Sequence, residues 1–451
     1  MVSIFVKNKL ILPLVLYILF KQICQERNDL NSSTLKREQA LRRRLKKRLS
    51  WPDVSKRISD IHFCRMFRMT RACFNLLCNK IIRSVGERAF LSEAYIDAFL
   101  DNELTAPKYL SGIYKAHLKT SGGFISGEVK LAISIRLLAG GSALDLSVLF
   151  DISEPHCKTV FIKVLKDWII KPNIGNIDIE EYLNNEDAMK RVAIGFSQRS
   201  NGVLRGAIGA IDGWLVKITR PWMVRDAVSN PASFFSRKGF YALNVQCICD
   251  HDKKVMWASY SNRGSSHDST CFRDSDLYKS LLKPMQEELF RLSYFILGDS
   301  AYAIESFILP PYDNSKSSSP EDAYNFYHSS ARITVECTFG EIDRRWGIFW
   351  SAISYSLFNT CIICEGAMHL HNYLVDYRQS LEDPVDDYRK ENEIFEYDRL
   401  DHGIISSVIS SDSTRPRGRP TNDEIVCRQN GLLLRDHLRA SLASHNMHRP
   451  V

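Results

Sequence analysis

The sequence predicts an α/β protein in which an α-helical region precedes a mixed sheet with flanking helices. Between about residues 60 and 170, apolar residues recur every three or four positions, a period typical of helices. From 203 to 300 the pattern changes to short runs rich in β-branched residues that end in turn formers, as strands do. With 451 residues, 45% of them hydrophobic, the chain can bury a large core, which excludes global disorder.

Shifts in composition divide the chain into five predicted segments. We expect a basic N-terminal segment at 1–58, an α-helical domain at 59–172, a linker at 173–202, the sheet domain at 203–380 and a flexible C-terminal tail at 381–451.

The helical domain ends in a pattern typical of a helix-turn-helix. After a break at Gly140 and Gly141, LDLSVLF predicts one helix, DIS a tight turn, and Glu154 to Trp168 a second helix. The second helix would expose Lys158 and Lys163, which can reach DNA phosphates. Helical pairs of this shape also occur without a DNA role, so packing against protein is the alternative.

Residues 203–300 carry the strands of the predicted sheet. The run VLRGAIGAIDGWLVKI predicts a first strand, and FYALNVQCIC, a DHDK turn and KVMWASYS predict an antiparallel hairpin. A helix over Ser269–Leu282 and a buried strand in LSYFILGD follow. Three strands, a helix and a strand is the order of a ribonuclease H-like core. A last helix over 331–349 would leave Glu336 beside its apolar face.

Three carboxylates stand out as candidate metal ligands: Asp212, Asp299 and Glu336. Asp212 interrupts the apolar first strand and Asp299 closes the fourth, and each has a glycine neighbour. Charges in apolar strands are costly unless a cation compensates them. Two-metal phosphodiester chemistry requires carboxylates held on rigid elements. Taken singly, an Asp at a strand end is more often a turn or helix cap.

Two further residues compete for a place at this site. Asp268, in GSSHDS, is a candidate metal ligand, and His267 beside it could orient a water molecule or a phosphate. We interpret Asp250 and Asp252 as turn formers in the hairpin.

The motifs AIDGW, RKGFYALNVQCICD, GSSHDSTCFRDS, LGDSAY and YNFYHSSARITVECTFGEIDRRWGIF, in this order, resemble the PIF/Harbinger superfamily of DDE transposases and its host-domesticated relatives. The resemblance runs from about Phe63 to Tyr377. It implies that Asp212, Asp299 and Glu336 are the catalytic triad. Where the family commonly has a Thr-His pair after AIDG, this chain has Trp214-Leu215.

The resemblance also implies a function: a DNA transposase or nuclease that uses Mg²⁺ or Mn²⁺ to hydrolyse DNA at element ends, with strand transfer by the freed 3′ hydroxyl. It further implies double-stranded DNA and a Myb-like protein as partners, and a nuclear location with shuttling through the cytoplasm. A homo-oligomer fits as well, and no membrane role is expected. Alternatives are a domesticated derivative that binds DNA or protein without cleaving, and a nuclease of the same fold that acts on RNA.

Basic and apolar runs near the termini suggest additional contacts. The run LKREQALRRRLKKRLSW is typical of nucleic-acid or import-receptor binding, although a solvated helix face has the same composition. The tail motif RPRGRP resembles an AT-hook, with Arg417 and Arg419 pointing into a minor groove, or else forms a basic linker or import signal. The apolar run Leu10–Phe20 is too short to span a bilayer and predicts a buried or partner-binding helix.

Cysteine usage predicts reduced thiols. The twelve cysteines are scattered, without the paired spacing of a structural zinc site. The group Cys361, Cys364, His369 and His371 lies in a stretch apolar enough to be a buried helix, which we favour over zinc binding.

Overall fold

The structure, a computed structural model, describes residues 50–92, 125–282, 294–313, 315–380, 422–445 and 447–449. The Leu10–Phe20 run, nearly all of the basic N-terminal run, and Arg417 and Arg419 lie outside these residues. The helices before the sheet are α1 (Trp51–Arg57), α2 (Asp60–Phe67), α3 (Arg71–Val85), α4 (Glu87–Phe90), α5 (Gly127–Leu138), α6 (Ala143–Phe150), α7 (Glu154–Val164), α8 (Ile179–Leu183) and α9 (Glu186–Arg199).

The sheet has five strands: β1 (Ala207–Lys217), β2 (Ala242–Cys249), β3 (Val255–Arg263), β4 (Phe295–Leu297) and β5 (Ile308–Leu309). They lie in the order β3-β2-β1-β4-β5. The first three pair antiparallel, and β1, β4 and β5 pair parallel. The predicted mixed sheet and its hairpin are confirmed, and the fifth strand is an addition to the prediction.

Helices cover the sheet and extend beyond it. They are α10 (Asp268–Arg273), α11 (Asp276–Leu281), α12 (Pro320–Arg345), α13 (Leu357–Ser380) and α14 (Asn422–Ser444). The single helix predicted over Ser269–Leu282 is two helices, because Ser275 caps a new one by accepting a hydrogen bond from the Tyr278 amide. Helix α12 begins eleven residues before the predicted start at 331, and Val335, Phe339, Ile342 and Trp346 are buried as predicted.

The two faces of the sheet have separate cores. One contains Leu243, Val245 and Cys247 together with buried side chains of α12, α13 and the helices before the sheet. The other contains Ile211, Ile248 and residues of α8 to α11. Because the helices before the sheet share the first core with the strands, they are packed into the molecule and do not form a separate cluster.

The structure differs from the prediction at 173–202, which was expected to be a linker. Helices α8 and α9 occupy most of this segment, and Ile179, Leu183, Met189 and Phe196 are buried. Short helices with polar outer faces contain too few apolar repeats to be distinguished from a linker in the sequence.

The helix-turn-helix spacing is present as two helices, α6 and α7. Asp151 ends α6 in a left-handed conformation, and three residues separate the helices. Lys158 and Lys163 are exposed, whereas Val160, Val164 and Trp168 are buried. The DNA-binding role of this pair stays a prediction.

The segment predicted as a flexible tail ends in a packed helix, α14. Its Cys427 and Leu442 are buried, Glu424 pairs with Arg273 at 2.7 Å, and the Arg435 guanidinium lies 4.0 Å from the ring centre of Tyr312. These partners are more than a hundred residues away in sequence, so the local pattern could not reveal them. Within the described residues, no helix combines the length and apolarity needed to cross a membrane.

A glycine substitution tests the docking of α14. A Cβ on Gly431 would lie 2.4 Å from the backbone oxygen of Glu305. We therefore expect Gly431→Ala to lower the free energy of unfolding by about 1–3 kcal/mol, measured by urea denaturation, and to expose α14 to proteolysis. Gly340→Ala in α12 is the matched control: its Cβ meets nothing within 4 Å, so it should stabilise by up to about 1 kcal/mol. A stabilising Gly431→Ala would contradict the docking.

Candidate active site

The parallel pairing of β1 with β4 places two aspartates side by side. The last paired residues are Ala210 and Leu297. Asp212 and Asp299 each lie two residues beyond this pair. Each carboxylate accepts a backbone hydrogen bond close to its own position: Asp212 from the Gly213 amide at 2.7 Å and Asp299 from the Ala301 amide at 3.0 Å.

The third predicted carboxylate, Glu336, is linked to Asp212 by an arginine. Arg332 lies one turn before Glu336 on α12. Its Nη1 is 3.2 Å from Oδ2 of Asp212, and its Nη2 is 2.5 Å from Oε1 of Glu336. The guanidinium thus bridges the sheet and the helix by contacting Asp212 and Glu336, and it acts on Asp299 electrostatically.

Electrostatics at the site reflect crowded negative charge. Burial and the neighbouring Asp299 raise the pKa of Asp212 to about 6, although Arg332 acts in the opposite direction. Burial likewise raises the pKa of Asp299. Burial lowers the pKa of Arg332, but Glu336 and Asp212 outweigh it, so that the pKa is raised. The two aspartates are therefore costly to ionise without a nearby cation.

Asp268 approaches the site from the opposite face of the sheet. It is the first residue of α10 and is buried. A Cβ on Gly213 would lie 2.1 Å from its Oδ1, so glycine is required there. Its charge contributes to the raised pKa values of both Asp212 and Asp299.

Other predicted site residues lie around or away from this group. His267 is exposed at the N-cap of α10, next to Asp268. Lys158 and Lys163 lie on α7, which packs against α5, α6 and α13. Asp250 accepts backbone hydrogen bonds from Asp252 and Lys254, as a turn former does.

Sequence reasoning missed several side chains at the site. They are Arg332, Asn244, Gln246 and Tyr302. Asn244 and Gln246 are buried on β2, and both donate to Oδ1 of Asp268. Two amides at alternating positions of a strand buried throughout were the available signal. The spacing of Arg332 from Glu336 shows a shared helix face, but not that the arginine reaches β1.

The departure at Trp214 from the family pattern has a packing role. Its ring stacks on Phe339 with centroids 5.8 Å apart and meets the ring of Phe349 edge-on. His371 and Asn372 connect α13 to the start of β3. The His371 ring hydrogen-bonds the Lys253 carbonyl oxygen, and the Asn372 side chain hydrogen-bonds both the amide and the carbonyl of Val255.

Comparisons with known proteins agree with this geometry. Residues 211–372 match a family model described as DDE superfamily endonuclease, and this match contains all four acidic residues of the site. Residues 211–372 are thus similar to DDE superfamily endonucleases. The Harbinger-type assignment predicted from the motifs is supported by the same match together with the relative described next.

A curated relative extends the similarity beyond the family match. The chain is 23% identical over 284 residues to Protein ALP1-like from Arabidopsis thaliana. This alignment covers 58% of the chain and 64% of the relative, so the chain spans less than two thirds of that protein's length. No solved structure matches the chain significantly.

The half-buried Asp212 and Asp299, whose pKa values are raised, predict a pH dependence of stability in metal-free buffer. Because the folded pKa of Asp212, about 6, exceeds its ordinary 3.8, the folded state binds the extra proton between these values, and stability falls as pH rises from about 4 to 6. Asp212→Asn should remove most of this fall and stabilise the protein at pH 7.5 by roughly 2–3 kcal/mol.

Urea unfolding in EDTA at pH 4 and pH 7.5 measures the effect, with Asn substitution of the exposed Asp313 as the control. An Asp212→Asn variant that loses stability at pH 7.5 would show instead that the ion pair with Arg332 outweighs the cost of burying the Asp212 charge.

Proposed function

We propose that this protein is a metal-dependent DNA nuclease of the transposase type, with Asp212, Asp299 and Glu336 as its catalytic carboxylates. The observation that carries the proposal is the parallel register, which aligns two half-buried aspartates at the end of β4 in a region similar to DDE superfamily endonucleases. Side chains on strands and on a long helix are rigid supports of the kind that catalysis by positioned carboxylates requires.

The donor set has the chemistry of a hard-cation site. Its ligands are carboxylate oxygens only, which Mg²⁺ and Mn²⁺ prefer. In the described residues, no three His, Cys, Asp or Glu side chains lie close enough to hold one ion together, and Arg332 bridges Asp212 and Glu336. When bound, divalent metal supplies an activated water nucleophile and stabilises the leaving oxygen.

In this proposal the Arg332 side chain adopts two positions, one against the carboxylates and one against the substrate. In the structure described here it neutralises the carboxylates. Its side chain is long and retains some exposure, 16%, so that it can rotate away and contact a phosphate oxygen of the substrate. Arginine is well suited to that contact, since its planar fork matches phosphate geometry.

The proposed reaction is hydrolysis of a DNA strand at an element end. Water forms a bond to phosphorus as the bond to the 3′ oxygen breaks, and the proton passes to solvent. Strand transfer follows when the freed 3′ hydroxyl attacks a phosphodiester of the target DNA and displaces its 3′ oxygen.

A non-cleaving derivative is the second candidate, and one observation favours it. Arg332 pairs with both Asp212 and Glu336, so these side chains can act as a structural ion-pair network. In that case the fold binds DNA or protein, and the three carboxylates serve stability.

We propose double-stranded DNA as the principal partner, bound in part by Lys158 and Lys163. A nuclear location, a Myb-like partner protein and an oligomeric assembly belong to the same proposal. Arg417 and Arg419 are proposed to add minor-groove contacts through the AT-hook-like motif.

Isosteric changes at the triad test the nuclease directly. Asp212→Asn, Asp299→Asn and Glu336→Gln should each reduce Mg²⁺-dependent cleavage of duplex DNA by more than about a hundredfold, the upper end of what changes around a metal usually cost. Folding, measured by circular dichroism, should remain. Glu321→Gln on the same helix is the control and should cleave normally. Wild-type rates in any triad variant would remove that residue from the proposal.

Charge reversal tests the DNA contact of α7. Each phosphate contact adds about 0.9 to the slope of log affinity against log salt. Lys158→Glu with Lys163→Glu should weaken duplex binding and lower this slope by up to about 1.8. Lys190→Glu is the matched control, since Lys190 pairs with Glu186 on α9 as Lys158 pairs with Glu154. An unchanged slope would assign α7 to protein packing.

A further inference from the structure

Two buried side chains outside the triad bond to Asp268, and a third buried side chain orients one of them. Asn244 Nδ2 donates to its Oδ1 at 2.8 Å, and Gln246 Nε2 donates to the same oxygen at 2.9 Å. The Tyr302 hydroxyl donates to Oε1 of Gln246 at 2.6 Å. We call Asn244, Gln246 and Tyr302 the positioning network.

The network has one consistent direction of hydrogen bonding. Because the Tyr302 hydroxyl donates to Oε1 of Gln246, the amide nitrogen must face the other way, toward Asp268. That nitrogen also donates to Oδ1 of Asn244 at 2.8 Å, which leaves the Asn244 nitrogen to bond Asp268. Coupled buried hydrogen bonds of this kind fix side-chain orientation strongly.

The hydrogen bonds of the network use only one of the two carboxylate oxygens of Asp268. Both network bonds to Asp268 end on Oδ1, and neither uses Oδ2. Oδ1 lies against Gly213, next in sequence to Asp212, where any side chain would collide with it. The contact with Gly213 and the hydrogen bonds to Asn244 and Gln246 place this carboxylate on the α10 face of the sheet, next to the strand that carries Asp212.

We infer that the positioning network holds Asp268 as a fourth carboxylate of the proposed metal site. The inference rests on the proposed function and adds to it. Asp268 contributes Oδ2 from the α10 face of the sheet, directly or through a water ligand, while Glu336 approaches from the α12 face. Residues that orient ligands in this way typically change metal affinity by 10- to 100-fold when they are removed.

A purely structural role makes a different prediction. If the network only fastens α10 to the sheet, its loss lowers stability and leaves metal affinity unchanged in the folded protein. Metal affinity therefore separates the two roles, and activity need not be measured.

The experiment is Mn²⁺ binding to the full chain, followed by electron paramagnetic resonance. Asp268→Asn should weaken binding by at least about tenfold. Gln246→Met and Tyr302→Phe should each weaken it several-fold. Tyr278→Phe is the matched control: Tyr278 is a buried tyrosine in the same core whose hydroxyl donates to Glu305, and its loss should leave Mn²⁺ affinity unchanged.

Double variants decide whether the network acts through Asp268. In the Asp268→Asn background, Gln246→Met and Tyr302→Phe should have little further effect on affinity, since their target is gone. Full additivity, or wild-type affinity in Asp268→Asn and Gln246→Met, would overturn the inference. If the wild-type protein binds no Mn²⁺, the proposed function itself fails, which is a distinguishable result.

Discussion

The early end of the parallel pairing between β1 and β4 is the constraint on which the site depends. Had β4 continued alongside β1, the space around Asp212 would be filled by a neighbouring strand. Because pairing stops at Ala210 and Leu297, Asp212 and Asp299 lie at equivalent positions just beyond the last paired residues. Placing two carboxylates there raises their pKa values and creates a demand for positive charge.

The surrounding elements are arranged to meet that demand. Helix α12 supplies Arg332 and Glu336 from one face, and α10 supplies Asp268 from the other. The glycine at 213 allows this second approach, since a side chain there would collide with Asp268. The core of each face, built from α1 to α7 with α12 and α13 on one side and mainly from α8 to α11 on the other, keeps α10 and α12 against the strands.

Much of this arrangement could be predicted from the sequence, for physical reasons. Lone aspartates in apolar strands are costly enough to mark Asp212 and Asp299. The spacing of apolar residues was sufficient to predict the β2–β3 hairpin and the buried face of α12. Contacts between distant segments were not predictable: the local pattern does not show that Arg332 reaches β1 or that α14 docks beside Glu305. Nor could alternation along β2 show that Asn244 and Gln246 meet Asp268, because that contact depends on where α10 packs.

Exchange of Arg332 for a divalent cation is the central claim of this account. A crystal structure at saturating Mn²⁺, with anomalous scattering used to locate the metal, tests it most directly. We expect an anomalous peak between Asp212 and Asp299, with the guanidinium of Arg332 displaced from both Asp212 and Glu336. An absence of bound Mn²⁺ at these carboxylates, with Arg332 still bridging them, would contradict the claim and favour the non-cleaving alternative.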